Sequence, residues 1–348
     1  MTEQRDWRLP ENRELAFLEF YRFHLEYRAH PGCVYSLLPA IAESLDMDED
    51  QRAWLVWLNG NTQNAVTSLL LLEAAPRPED WPKAVAFWND NFKLLEWDTD
   101  RRHQKSKFGE ATEAWASRHL LEPAQSWLDA AAGGWGPTWA FANGQPYMGR
   151  LSAWSMTEYA RILLGPAIPD AGTWMLEDKS GSKSHRNGIA TVMGHDAVYW
   201  DEGTPDMLGI VDDLGRYADE LLAQVDHPDA SRLTMESALC TWKSWHKPNR
   251  RYPGVYLDMM YERIRKAEAR FGSRFLLLWE ARLRDLPAYL RLEDNLYDPG
   301  LSSVKQNWYL ETGQIPVLGR WSDSIPMSDF DYKVDAGDFG VRKERKWS

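Results

Sequence analysis

The run GSKSHRNG, residues 181–188, places Ser182, Lys183, Ser184, His185, Arg186 and Asn187 between two glycines, directly after Asp178, Lys179 and Ser180. Nearly every side chain in it donates a hydrogen bond. Lys179, Lys183 and Arg186 can surround an anion, and the serine hydroxyls add neutral donors. His185 can hand a proton to a departing oxygen near neutral pH. The competing reading is an ordinary solvated loop of polar composition. A nucleotide-hydrolysing P-loop is excluded. Lys183 follows Gly181 by two residues instead of closing a Gly-x-x-x-x-Gly-Lys run, the neighbouring segments read as helices, and no strand-borne carboxylate is recognisable.

Charge and aromatic content bear on the same question. The net charge of −12 argues against a uniformly basic nucleic-acid binder. Positive charge is nevertheless concentrated in RRHQKSK (101–107), DKSGSKSHR (178–186), KSWHKPNRR (243–251) and RKERK (342–346). Such islands on an acidic body suit a localised polyanion site, and solvated loops would look the same. Nineteen Trp and fourteen Tyr are a heavy load, and several stand beside cations: Trp242 and Trp245 flank Lys243, and Trp154 follows Arg150. Aromatic faces next to cations stack exposed bases while holding phosphates, although most of these rings must serve as core.

The elements that must position these groups read as helices almost throughout. Apolar residues recur at helical spacing in 11–30, stopped by Pro31-Gly32, and in CVYSLLPAIAESL and EDQRAWLVWLNG, with Gly60 as the expected C-cap of the latter. TQNAVTSLLLLEAA, DWPKAVAFWNDNFKLLEW and EATEAWASRHLLEPAQSWLDAAAG continue the pattern up to a glycine-rich turn at 133–136. GRLSAWSMTEYARILLG is helical and ends at Gly165-Pro166, after which the polar loop intervenes. Four further helices are expected in PDMLGIVDDLGRYADELLAQV, SRLTMESALCTWKSW, GVYLDMMYERIRKAEARFG and RFLLLWEARLRDLPAYLRL. Period-two alternation is scarce and no repeat is evident. The expectation is a mainly α, multi-helical globular fold. It comprises an N-terminal helical subdomain at 1–110, a helical catalytic region at 111–295, and an irregular C-terminal tail at 296–348 that packs on the body.

No apolar run reaches about 18 residues, and the N-terminal stretch has no signal-peptide character, so no membrane partner is expected. Cys33 and Cys240 are too few for a disulfide framework, and neither has a His pair at ligand spacing; a reducing cytoplasm, no metal site and no cofactor are expected.

In order along the chain, HPGCVYSLLPAIAE, WLNGNTQNAVTSLLL, GRLSAWSMTEYA, LEDKSGSKSHRNG, ESALCTWKSW and RRYPGVYLDMMYERI resemble the amino acid:DNA transferases of bacteriophages, also called α-glutamyl/putrescinyl thymine pyrophosphorylases. The resemblance runs from about residue 15 to about residue 285 and is most specific at Ser-His-Arg-Asn-Gly. It implies a helical fold related to DNA glycosylases, base flipping, and action in an infected bacterial host. It also implies the substrates: double-stranded phage DNA whose 5-hydroxymethyluracil has been pyrophosphorylated, and a free amino acid or polyamine. The amine displaces pyrophosphate from the exocyclic methylene and leaves a hypermodified thymine. The kinases of that pathway carry a P-loop, which this chain lacks.

Under that chemistry the departing charge needs preorganised cations: Lys179, Lys183 and Arg186, with Ser182 and Ser184, and Arg150 from the preceding helix. A carboxylate must bind the ammonium and take its proton, and Asp178, Glu236 and Asp258 are the candidates. Glu236, Cys240 and Lys243 share one helix face at i, i+4 and i+7; the alternative is a helix with Glu236 and Lys243 solvated at its edges and Cys240 packed inside. Addition of the Cys240 thiolate to the base ring is a further option. Asn61, Gln63 and Asn64, with Asn59, can read a uracil edge or the donor carboxylate, or can form a capped helix junction with Asn61 or Thr62 as N-cap. Trp154, Asn187 and Tyr256 complete the substrate candidates, and Lys247, Arg250 and Arg251 are the expected DNA-backbone contacts. Two other functions are open: a glycosylase-like enzyme that removes a modified base, and a non-catalytic DNA-binding protein.

Overall fold

The computed structural model describes residues 5–6, 9–98, 101–176, 183–195, 205–242, 255–285 and 321–322. The described chain is mainly α. Its helices are α1 (Pro10–Glu26), α2 (Val34–Ser44), α3 (Glu49–Thr62), α4 (Ala65–Ala74), α5 (Trp81–Asp90), α6 (Phe108–His119) and α7 (Pro123–Ala132). They continue as α8 (Trp135–Asn143), α9 (Arg150–Leu164), α10 (Lys183–Val192), α11 (Pro205–Ala223), α12 (Arg232–Trp242), α13 (Val255–Phe271) and α14 (Leu276–Asp285). Two short strands, β1 (Arg5–Asp6) and β2 (Trp321–Ser322), pair in parallel. Apart from β2, the expected C-terminal tail lies outside the described residues.

Two compact units form from interleaved segments: one from 1–31, 174–258 and 287–348, the other from 32–173 and 259–286.

In the first unit α10 packs against α12, α11 and α1. Its core gathers Phe17, Tyr21, Trp174, Ile189, Leu214, Met235 and Trp242. Trp242 receives Phe17 and Phe20 edge-on at 5.6 Å each, an arrangement suited to the ring quadrupoles. The start of α12 is capped within its own turn: Ser231 Oγ accepts from Thr234 N at 3.1 Å, and Thr234 Oγ1 accepts from Ser231 N at 3.1 Å. The Tyr21 hydroxyl adds a 2.6 Å contact to Thr234 Oγ1, which fixes α12 against α1.

In the second unit α3 is the central helix and packs on α9, α4 and α7. Its start carries a complete capping box, with Gln51 N donating to Asp48 Oδ1 at 2.9 Å and Asp48 N to Gln51 Oε1 at 3.0 Å. Such a cap is worth about 1 kcal/mol. Trp57 stacks on Trp115 at 5.3 Å and donates its indole N–H to Thr112 Oγ1 at 3.3 Å.

Several local expectations change. Gly60 does not end α3; the helix continues to Thr62 and Gln63 takes the left-handed C-cap at φ 48°. Gly60 is bare because Met156 of α9 packs there: a Cβ would lie 2.3 Å from Met156 Cε. The N-cap of α4 is Asn64, not Asn61 or Thr62, and its side chain accepts from Thr67 N at 3.1 Å. The long helix expected over 110–133 is two, because Pro123 starts α7 afresh. The expected turn at 133–136 opens into α8, with Gly134 as N-cap at φ 80°. The segment ending at Trp97 is not one helix, since α5 stops at Asp90.

Candidate active site around His185 and Glu236

The largest revision falls on the polar run itself. Residues 183–192 are not a loop but helix α10, and His185, Arg186 and Asn187 are fully buried. The reason lies in the crossing with α12. A Cβ on Gly188 would sit 2.7 Å from the Leu239 carbonyl oxygen, so only glycine lets the two backbones approach this closely. The glycine read as a loop boundary is a packing residue.

That crossing sets His185 against Glu236. His185 Nδ1 lies 3.0 Å from Glu236 Oε1, and the Glu236 side chain is 4% exposed. The solvated-edge alternative for Glu236 is thereby overturned. His185 Nε2 faces the Trp174 carbonyl oxygen at 3.2 Å. A carbonyl only accepts, so Nε2 carries a proton and Nδ1 is the nitrogen turned to the carboxylate. Nδ1 and Oε1 therefore face each other as a buried histidine–carboxylate contact.

Arg186 donates from Nη1 to the Leu176 carbonyl at 3.2 Å. With His185 on Trp174 and Arg186 on Leu176, the start of α10 is tied to two backbone carbonyls of the segment that precedes it. Trp174 is held in turn, its indole N–H donating to Asp219 Oδ1 at 2.9 Å and the Arg232 guanidinium lying 5.9 Å from its ring centroid. Arg186 thus serves inside the fold, not at the tip of an exposed loop. Ser184 is half-buried at the same helix start.

The remaining first-unit candidates divide simply. Cys240 is half-buried on α12, one turn beyond Glu236. Tyr256 is half-buried on α13, and Asp258 lies on that helix with its side chain outside the description, as is that of Lys183. Asp178, Lys179, Ser182, Lys243, Lys247, Arg250 and Arg251 lie outside the described residues.

The second unit holds another group. Arg150 opens α9 and its guanidinium lies 4.9 Å from the ring centroid of the fully buried Trp154. Asn61 and Asn64 are buried, and Gln63 is half-buried. Their junction is organised by Arg101, which the sequence shows only as one member of a basic run. Arg101 is 3% exposed and donates to Asn61 O (3.3 Å), Asn61 Oδ1 (3.2 Å), Tyr147 O (2.8 Å) and Ser152 Oγ (3.3 Å). All of these partners are neutral, and desolvation lowers its pKa to about 10. Asn61 also donates to Trp57 O at 2.9 Å, so its amide is committed to the helix junction. A second pair that periodicity did not single out is Tyr35, whose hydroxyl donates to the buried Glu158 at 3.0 Å.

Among the described residues no group of three or more His, Cys, Asp or Glu is placed to hold a metal ion, and no helix is long and apolar enough to cross a membrane.

The described helices thus bring a buried histidine and a buried carboxylate together across the α10–α12 crossing. The chain belongs to the amino acid:DNA transferase family, whose model matches residues 36–251 and so includes both His185 and Glu236. It is 26% identical over 341 residues to a serinyltransferase of Salmonella phage ViI, across 88% of this chain and 82% of that relative. No solved structure matches it.

Proposed function

We propose that this transferase displaces pyrophosphate from 5-pyrophosphoryloxymethyl-uracil in phage DNA with the amine of an amino acid or polyamine. The observation that carries the reading is the 3.0 Å contact between His185 Nδ1 and Glu236 Oε1, both within the matched family segment. In the reaction the amine nitrogen attacks the exocyclic methylene and a C–N bond forms. The C–O bond breaks, and pyrophosphate leaves with the bonding electrons. The nitrogen must then lose a proton, and Glu236, coupled to His185, is the group proposed to accept it. Lys179, Lys183, Ser182 and Ser184 are proposed to neutralise the diphosphate as its charge develops. Arg186 and the His185 Nε2–H anchor the start of α10 on the Leu176 and Trp174 carbonyls. The serinyltransferase relative favours an amino acid over a polyamine as donor.

The test is incubation with pyrophosphorylated hydroxymethyluracil DNA and a panel of amines including serine and putrescine, followed by nucleoside mass analysis. A heavier nucleoside with matching pyrophosphate release supports transfer. Abasic sites would replace the reading with base removal, and binding without either product would make the protein a non-catalytic DNA binder.

A further inference from the structure

Three tryptophans in the second unit form a layered cluster. Trp135 and Trp139, on successive turns of α8, lie with ring centroids 5.6 Å apart and an interplanar angle of 28°. Both meet Trp154 edge-on, at 5.7 Å and 6.2 Å. Trp154 is fully buried, whereas Trp135 and Trp139 are only half-buried. A rigid indole thus backs two indoles that reach solvent. The Arg150 guanidinium, 4.9 Å from the Trp154 ring centroid, brings a cation to the same cluster.

The surroundings hold the rings still and leave room beside them. Gly172 lies against Trp135, where a Cβ would be 2.8 Å from the ring carbon Cδ1. Gly134 and Gly136 flank Trp135 on the chain, and a Cβ at either would meet nothing within 4 Å. A bulky chain can therefore approach the backbone on both sides of that tryptophan.

From this arrangement we propose that Trp135 and Trp139 form a stacking platform for an unpaired nucleobase of the DNA substrate. Paired bases offer only their edges, so a platform of indole faces discriminates for a base outside the helix stack. Aromatic side chains on which bases stack are what single-stranded nucleic-acid sites use. The inference rests on DNA being the substrate; it adds where on this chain a base is held.

The experiment compares fluorescence-anisotropy titrations of two labelled duplexes, one fully paired and one carrying a single unpaired thymine. The wild-type chain is expected to prefer the unpaired-base duplex, and the Trp135→Leu/Trp139→Leu variant to lose that preference. Its affinity for the unpaired-base duplex falls about tenfold, the scale of one base–aromatic stack, while the paired duplex is bound as before. Trp139→Phe, with Trp135 intact, keeps an aromatic face and retains most of the preference. A double variant that keeps the wild-type preference overturns the inference, as does an equal loss on both duplexes, or a wild-type chain with no preference. Nucleoside mass analysis of wild-type reactions separates the two levels: product formed without any preference sinks the platform alone, whereas neither product nor DNA binding sinks the substrate reading as well.

Discussion

Glu236 Oε1 and His185 Nδ1 meet at 3.0 Å in a region closed to solvent, although they belong to two helices far apart in the chain. An isolated buried carboxylate would be costly, and so would an isolated imidazolium. Placed together, a basic and an acidic side chain offset part of that cost.

Glu236→Gln tests this pair. The amide keeps the volume of the carboxylate but cannot accept a proton. Transfer is expected to fall at least about 100-fold with the melting temperature little changed. Nucleoside mass analysis and pyrophosphate release measure the first, circular dichroism the second. Turnover at the wild-type level would remove Glu236 from the chemistry.

Cys240→Ser separates general-base chemistry from covalent addition to the base ring. Cys240 lies one turn beyond Glu236 and is half-buried. The expected result is turnover close to wild type, since the proton-accepting pair is intact. Complete loss in a variant that still folds would move the mechanism to a thiolate adduct.

Gly188→Ala tests the helix crossing. The added methyl would meet the Leu239 carbonyl oxygen at 2.7 Å, and a backbone atom cannot swing aside as a side-chain tip can. The helices must separate, at a cost of about 1–3 kcal/mol in urea unfolding. Transfer activity should fall as well, because the same crossing sets the distance between His185 and Glu236.

How much of this was legible in the sequence varies by element, for physical reasons. α9 is bounded by Gly149 and Gly165 and keeps a clean apolar stripe, so its ends read correctly. α10 does not, because His185, Arg186 and Asn187 point into the core and interrupt the stripe that marks a helix. α8 begins Gly-Trp-Gly-Pro, a turn signature; a left-handed Gly134 and a proline within the first turn are also a sound helix start. Residue types gave the candidacy of His185 and Glu236. Their meeting depends on Gly188 and Leu239 of two helices, which no local pattern records. Arg101 was hidden in a basic run because its fate depends on carbonyls at Asn61 and Tyr147.

Arg101→Lys should destabilise the second unit. A lysine cannot span Asn61, Tyr147 and Ser152 together, so buried acceptors lose their donors at about 1–3 kcal/mol. Chemical denaturation measures the loss. An unchanged midpoint would mean that the junction is held without the guanidinium.

Acid should loosen the first unit. His24 Nδ1 lies 3.0 Å from the Phe20 carbonyl oxygen, and burial lowers the His24 pKa to about 4 from 6.5. His30, fully buried with its ring centroid 5.6 Å from that of His24, is lowered well below 6.5, by desolvation first and then by the neighbouring histidines. Both are therefore neutral in the folded chain at pH values where the unfolded chain binds protons. Stability contributed this way is complete above about pH 6.5 and is lost as pH falls toward 4. For His24 the difference between 6.5 and about 4 corresponds to about 3 kcal/mol. Urea midpoints measured from pH 7.5 to pH 4.5 should decline across that window, and His24→Phe should flatten the slope. An equally steep decline in the variant would assign the acid sensitivity to other groups.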